Sequence, residues 1–289
     1  TMKKKFDLSK LTLYPAVIFV FIITQLPFAI TIIFSLLRWN VMRPDQGISF
    51  AGISNYITIL TSKDTYQVLL NTLIIVVACL ALCTVLAVLL GVLFNRKFPG
   101  GYIFRTLFVM PYFVMDCIVG IFWKTVLLNP NMGLNYYICK LFGMQAVDFF
   151  GKYALLTIII LIVWQWTPFF FLIVMGGLQG IPEEVQESAK LDGASPLQRL
   201  LWIDIPMIKK HIVTAMVLGL INILKVFGLV YVSTQGGPGV SSANLPYLTY
   251  RTIFNEWNVG KAAALAVITV VITLIVSQNF FKAVNKIQD

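Results

Sequence analysis

Two charged side chains, Asp116 and Lys225, interrupt long apolar stretches of this chain. An ionisable group at membrane depth costs about 2.5–3.5 kcal/mol on insertion scales, so such groups usually face a bundle interior or a cavity. Asn222 precedes Lys225 by one helical turn, which puts both on one helix face. Gln165, Trp166 and Phe169 form a second group, aromatic faces beside a hydrogen-bonding amide. That pairing suits a solute with apolar C–H patches and many hydroxyls, as a sugar has. These residues also have a structural reading, with Trp166 and Phe169 as packing and Lys225 snorkelling or paired. The chemistry on offer is recognition rather than bond-making. The only histidine is His211, with no Ser, Asp or Glu cluster around it to form a catalytic site. Cys79, Cys83, Cys117 and Cys139 lack metal-ligand spacing, and the first three lie in apolar stretches as small hydrophobes. No GxxxxGK[ST] phosphate loop is present, so the chain has no ATPase site of its own. No catalytic residue, metal site or bound cofactor is expected.

The elements that hold these groups are membrane helices. Of 289 residues, 58% are hydrophobic and 12% charged, against about a quarter charged in a soluble domain. Mean hydropathy is +0.85. Residues 11–37, 68–94 and 153–181 contain no charge, and each run exceeds the roughly 20 residues that cross a bilayer. Six spans are expected, at about 13–37, 68–94, 103–127, 153–178, 211–233 and 262–281, making an all-α membrane protein with one transmembrane domain over 1–289. Pro15, Pro27, Pro111 and Pro168 lie in or near them, which neighbouring helices can accommodate. The basic start TMKKKFDLSK precedes an apolar run too long for a signal peptide, and reads as an uncleaved first span.

The net charge of +10 could suggest nucleic acid. Loop asymmetry explains it better. With both termini inside, inner segments carry thirteen of the 22 Lys and Arg, outer segments eight, and Lys225 stays in the membrane. The inner excess follows the positive-inside rule. Trp39, Trp123, Trp202 and Trp257 fall near span ends and read as interface anchors, and His211 as a headgroup-level residue. The outer loops, rich in Gly, Pro, Asn and Ser, read as turns and short re-entrant pieces.

One inner segment, 182–206, is strongly polar: PEEVQESAKLDGASPLQRLLWIDIP. Pro182 suits a first helical position, with Glu183 and Glu184 favourably placed against the helix dipole. Gly193 supplies a left-handed helix end, and Ser195-Pro196 starts a second helix. Pro206 is expected to close the unit. Such a helix–turn–helix either lies on lipid headgroups or docks a cytoplasmic partner.

Glu187-Ser188-Ala189, Asp192-Gly193-Ala194, Ile203, Ile205 and Pro206 resemble the EAA loop of binding-protein-dependent ABC importer permeases. Ser188 replaces the second residue of the triplet, Leu200 stands in place of an aromatic, and Lys210 in place of a second proline. The stretch 233–268, with its T-x-GGP loop, Tyr250-Arg251 and Gly260 before three alanines, is similar to carbohydrate permeases related to the maltose permease. Phe50, Gly52, Asn55 and Tyr56 resemble their first outer loop. The resemblance implies a coupling helix between spans 4 and 5, with Glu187, Ser188, Ala189, Asp192, Gly193 and Ala194 meeting an ATPase. It implies import of a sugar, oligosaccharide or related polyhydroxylated solute by alternating access, with Gln165, Trp166, Phe169, Asn222 and Lys225 in the region that lines the solute. It also implies two ATPase subunits using ATP and Mg, a second and different permease subunit, an extracellular solute-binding protein and a bacterial inner membrane. The rival readings are an ion-coupled secondary transporter, which should show inverted halves and intramembrane acids, and an intramembrane enzyme. No nucleic-acid partner is expected.

Overall fold

A computed structural model describes residues 8–96 and 99–288. Lys3, Lys4, Lys5 and Lys97, which contribute to the charge asymmetry, lie outside the described residues. The chain begins with α1 (Leu8–Ser35), a two-residue hairpin pair β1 (Leu37–Arg38) and β2 (Ser49–Phe50), and α2 (Ser54–Leu60). Then come α3 (Lys63–Phe94), α4 (Gly101–Val109), α5 (Asp116–Phe122), α6 (Leu134–Leu141), α7 (Phe149–Lys152) and α8 (Ala154–Gln179). After these follow α9 (Glu183–Leu191), α10 (Pro196–Arg199), α11 (Ile205–Leu224), α12 (Gly228–Ser233), α13 (Leu245–Phe254) and α14 (Val259–Gln288). Among the described residues five helices are long and apolar enough to span a membrane, or six if the bent pair 101–113 and 116–127 counts as one span.

Two compact units divide these elements, 1–62 with 249–270 and 63–248 with 271–289. In the first, the loop after α1 is tied down by side chains. Asn55 Nδ2 donates to the carbonyls of Ser35 and Leu37, both at 2.9 Å. Ser35 Oγ and Tyr56 Oη lie 2.6 Å apart. Val41 N–H donates to Trp257 O at 2.9 Å, and Asn40 bridges Asn258. Gly260 sits so close that a Cβ there would lie 2.1 Å from Leu37 O.

The second unit is built around α8, two thirds of whose apolar window is buried (67%), more than in any other span. Its neighbours are α3 and α11. Ile158, Leu161, Ile162, Phe170 and Phe171 of α8 are buried, as are Val68, Ile75, Cys79 and Cys83 of α3. Lipid is as apolar as a core, so membrane helices gain by close approach over small residues. Gly219 of α11 meets the tip of the Phe170 ring: a Cβ there would lie 2.1 Å from Cζ. His211, expected at headgroup level, is exposed and sets its ring against Gly177 of α8. Trp123 also packs edge-on against Trp164, with ring centroids 5.4 Å apart, a contact compatible with its expected place near a span end. The loops beyond α5 and α12 hold helices α6, α7 and α13, more regular structure than re-entrant pieces.

Two spans differ from the unbroken helices expected. Over 103–127 the halves diverge by 101°. Pro111 lies in a 3-10 turn, Met110–Phe113, where it has no N–H to give, and Val114 and Met115 are extended. Asp116 is therefore not mid-helix. It opens α5, where the dipole favours an acid. Over 211–233 the helix starts earlier, at Ile205, and stops at Leu224. Lys225 is its C-terminal cap, and α12 is separate. Pro206 does not end the loop but sits in the first turn of α11, where its missing N–H has no partner to lose. Pro182 is the N-cap of α9 rather than its first helical residue.

Candidate functional site

Residues 182–206 fold into a hairpin fixed at every joint. Glu183 and Glu184 open α9 and Lys190 stands in its last turn, each complementing the dipole. Gly193 adopts φ +77°, and the chain closes there in a Schellman motif. Gly193 N–H donates to Lys190 O at 3.1 Å, and Ala194 N–H to Ala189 O at 3.0 Å. Asp192 N–H donates to Ser188 O at 2.9 Å. Two residues on, a capping box starts α10: Ser195 N–H donates to Gln198 Oε1 at 2.8 Å, and Gln198 N–H to Ser195 Oγ at 3.3 Å. From Leu200 to Asp204 the chain makes a π-turn that runs directly into α11. Gln186 Nε2 donates to the buried Asp204 Oδ1 at 2.6 Å, linking α9 to the foot of α11.

Glu187, Ser188 and Ala189 lie in the second half of α9, and Asp192, Gly193 and Ala194 in the turn that closes it. Ala189 is buried and the Glu187 side chain is exposed. Leu191, Leu197 and Trp202 stand 88%, 63% and 76% exposed. Leu191 and Leu197 point outward from α9 and α10, and Trp202, expected as an interface anchor, is exposed on the π-turn that follows. Gln186, Gln198 and Asp204 were not among the residues expected to matter. The S-x-x-Q spacing from Ser195 to Gln198 is the signal that could have found the capping box.

A second constellation lies where the third span bends. Gln165, 3% exposed on α8, donates through Nε2 to Val114 O at 2.8 Å and to Asp116 Oδ1 at 3.0 Å. Val114 O has lost its helical partner at the break, and Gln165 replaces it. Beside this latch the rings of Tyr112, Trp166 and Phe169 make mutual contacts at centroid distances of 5.4–5.9 Å. Gln165 Oε1 and Trp166 Nε1 are buried without a protein partner. The break in the fifth span comes close to it: a Cβ on Gly228, first residue of α12, would lie 3.2 Å from Asp116 Cβ and 2.9 Å from Cys117 Sγ. The two helix starts, α5 and α12, therefore stand side by side.

Asn222 and Lys225 occupy the end of α11. Asn222 Nδ2 donates back to Leu218 O at 2.8 Å, and its carbonyl accepts from Lys225 N–H at 3.1 Å. The Lys225 side chain is exposed and makes no ion pair with Asp116. Its charge sits at the negative end of α11, which offsets part of its desolvation. No hydrogen bond or ring contact joins Asn222 or Lys225 to Gln165, Trp166 or Phe169. Among these groups the polar atoms can hold a hydroxylated ligand, and the rings can stack on it. Among the described residues no group of His, Cys, Asp and Glu could hold a metal ion.

A family model described as "Binding-protein-dependent transport system inner membrane component" matches residues 84–284. A probable ABC transporter permease of Sinorhizobium fredii is 31% identical over 264 residues, covering 91% of this chain and 85% of that protein. A trehalose/maltose transport system permease of Thermococcus litoralis is 30% identical over 260 residues, 89% of this chain and 86% of that one. The fold matches a chain in the crystal structure of a bacterial ABC transporter involved in the import of the acidic polysaccharide alginate. The TM-score is 0.83 at 21% identity, over 98% of this chain and 96% of that one.

Proposed function

This chain belongs to the family of binding-protein-dependent transport system inner membrane components, and on that premise we propose that it is the membrane subunit of an ABC importer for a sugar, oligosaccharide or related polyhydroxylated solute. The hairpin 182–206 is the coupling element. Its Schellman turn and capping box hold Leu191, Leu197 and Trp202 outward for an ATPase subunit, and that geometry is the observation that supports the reading best. A second, different permease subunit, two ATPase subunits that use ATP and Mg, and an extracellular solute-binding protein complete the assembly. The solute passes beside the two adjoining helix breaks. Trp166 and Phe169 offer ring faces there, Gln165 a buried carbonyl oxygen, and Asn222 and Lys225 polar groups from α11. The trehalose/maltose relative supports the carbohydrate class.

Both termini and the hairpin face the cytoplasm of a bacterial inner membrane. A cysteine at the exposed Gln198 is then expected to react with an impermeant maleimide only from the cytoplasmic side. One at Met132, 70% exposed in the loop before α6, is expected to react only from outside. Labelling is read against the unmodified chain. The reverse pattern would overturn the orientation and with it the coupling role. The solute class is tested by mass spectrometry of small molecules retained by the purified complex with its binding protein. A neutral or acidic saccharide is expected, and an amino acid or peptide would refute the carbohydrate reading.

A further inference from the structure

A cavity of about 570 Å³ lies behind the hairpin, where α3 and α8 end and α4 passes. Four cations from four separate elements line it: Arg96 just after α3, Arg105 of α4, Lys190 in the last turn of α9 and Arg199 at the end of α10. Of the three carboxylates, Glu183 and Glu187 come from α9 alone, and Asp204 already accepts the Gln186 amide. Arg105, which lines the cavity, uses Nε and Nη2 on the terminal carbonyl of α3, Phe94 O, and so has Nη1 uncommitted to that carbonyl. Arg199 Nε is buried with no partner in the protein. A guanidinium stays charged at any physiological pH, and a desolvated one is costly until an anion meets it.

We propose that this cavity binds a phosphate group, supplied by an anionic phospholipid headgroup or by a free phosphoanion. Arginine forks match phosphate oxygens in pairs, and lysine adds a point charge. The cavity opens at the level where spans end, and basic pockets between spans on the cytoplasmic side are where anionic headgroups collect. Bound phosphate would tie α4 and the end of α3 to α9 and α10, and so stiffen the hairpin from behind. The placement at the inner leaflet rests on the orientation proposed above. The binding itself does not.

The test uses the complete complex with its partner subunits, in micelles and then in nanodiscs. In native mass spectrometry the wild type is expected to keep phosphatidylglycerol through delipidation in preference to phosphatidylcholine. Arg96→Gln/Arg199→Gln should lose that retention at least tenfold, and the single Arg96→Gln, at an exposed position, at least threefold. In lipid-free micelles, inorganic pyrophosphate should raise the melting temperature of the wild type and not of the double variant if the site takes free phosphoanions. Retention without the pyrophosphate shift assigns the site to lipid, and the shift without retention assigns it to a free anion. Equal phosphatidylglycerol retention in wild type and variants, with no pyrophosphate shift, overturns the proposal. Solute-driven ATPase activity that survives such a result would leave the import function standing.

Discussion

Replacing Gly193 by valine is expected to lower solute-stimulated ATPase activity of the assembled complex at least tenfold, while the chain still inserts. Gly193 has φ +77°, and a Cβ built there meets nothing within 4 Å. The penalty is therefore one of backbone conformation, not of space. An L-residue in the left-handed region costs about 1–2 kcal/mol, and a branched side chain is disfavoured most. Since 1.4 kcal/mol is a factor of ten in an equilibrium, the Schellman turn would be lost from much of the population. With it go the angle at which α10 leaves α9 and the alignment of Leu191 with Leu197 and Trp202. Asparagine tolerates the left-handed region, so Gly193→Asn should retain most of the stimulation. The measurement is ATPase rate with and without solute-loaded binding protein. Full stimulation in Gly193→Val would remove the hairpin from its proposed role.

Local signals made that hairpin legible. An acid-rich first turn, a glycine at the helix end and Ser-Pro at the next start each act within a few residues, so the chain states them directly. The tie from Gln186 to Asp204 was not legible, because it pairs positions on two elements whose relative placement comes from packing. The helix breaks were missed for another reason. Apolar composition reads a continuous span through 103–127 and 211–233, since lipid demands hydrophobicity from broken and intact helices alike. The punctuation was present: Pro111 followed by Asp116 is a helix stop and an acidic restart, and Lys225 followed by Gly228 is a basic last turn and a breaker. Asp116 and Lys225 read as costly mid-span charges when they are helix-terminal groups. Asn222 and Lys225, expected on one helix face, lie at the last turn of α11 and at its C-cap. Tyr112, Val114 and Gly228 went unnoticed because their contribution is a ring face, a carbonyl and a missing Cβ.

Gln165→Leu is expected to abolish most uptake while the complex keeps its solute-independent ATPase activity. Leucine is apolar and only one atom shorter, so most of the packing on α8 survives. What is lost is the pair of bonds to Val114 O and Asp116 Oδ1. The half-buried Val114 carbonyl and Asp116 carboxyl would each lose a hydrogen bond, worth about 0.5–1.5 kcal/mol apiece. The bend of the third span, which sets Tyr112 against Trp166 and Phe169, would relax. Uptake at least tenfold below wild type is the expected result, with a lower melting temperature for the complex. Gln165→Glu, which can accept but not donate unless protonated, should also fail. Wild-type uptake and melting temperature in Gln165→Leu would mean that the latch does not shape the solute path. This loss differs in kind from that at Gly193, where the solute site stays whole and the coupling fails.

On the proposed function, this chain moves a solute inward only when a separate ATPase drives it. The most direct measurement is uptake of the copurified saccharide into proteoliposomes holding the chain, its partner permease and the ATPase, with binding protein outside. Uptake is expected with ATP and Mg enclosed, and none with enclosed ADP, with an imposed proton or sodium gradient instead of ATP, or without the ATPase subunits. Uptake driven by an ion gradient in the absence of ATP would contradict the account and make the chain a secondary transporter.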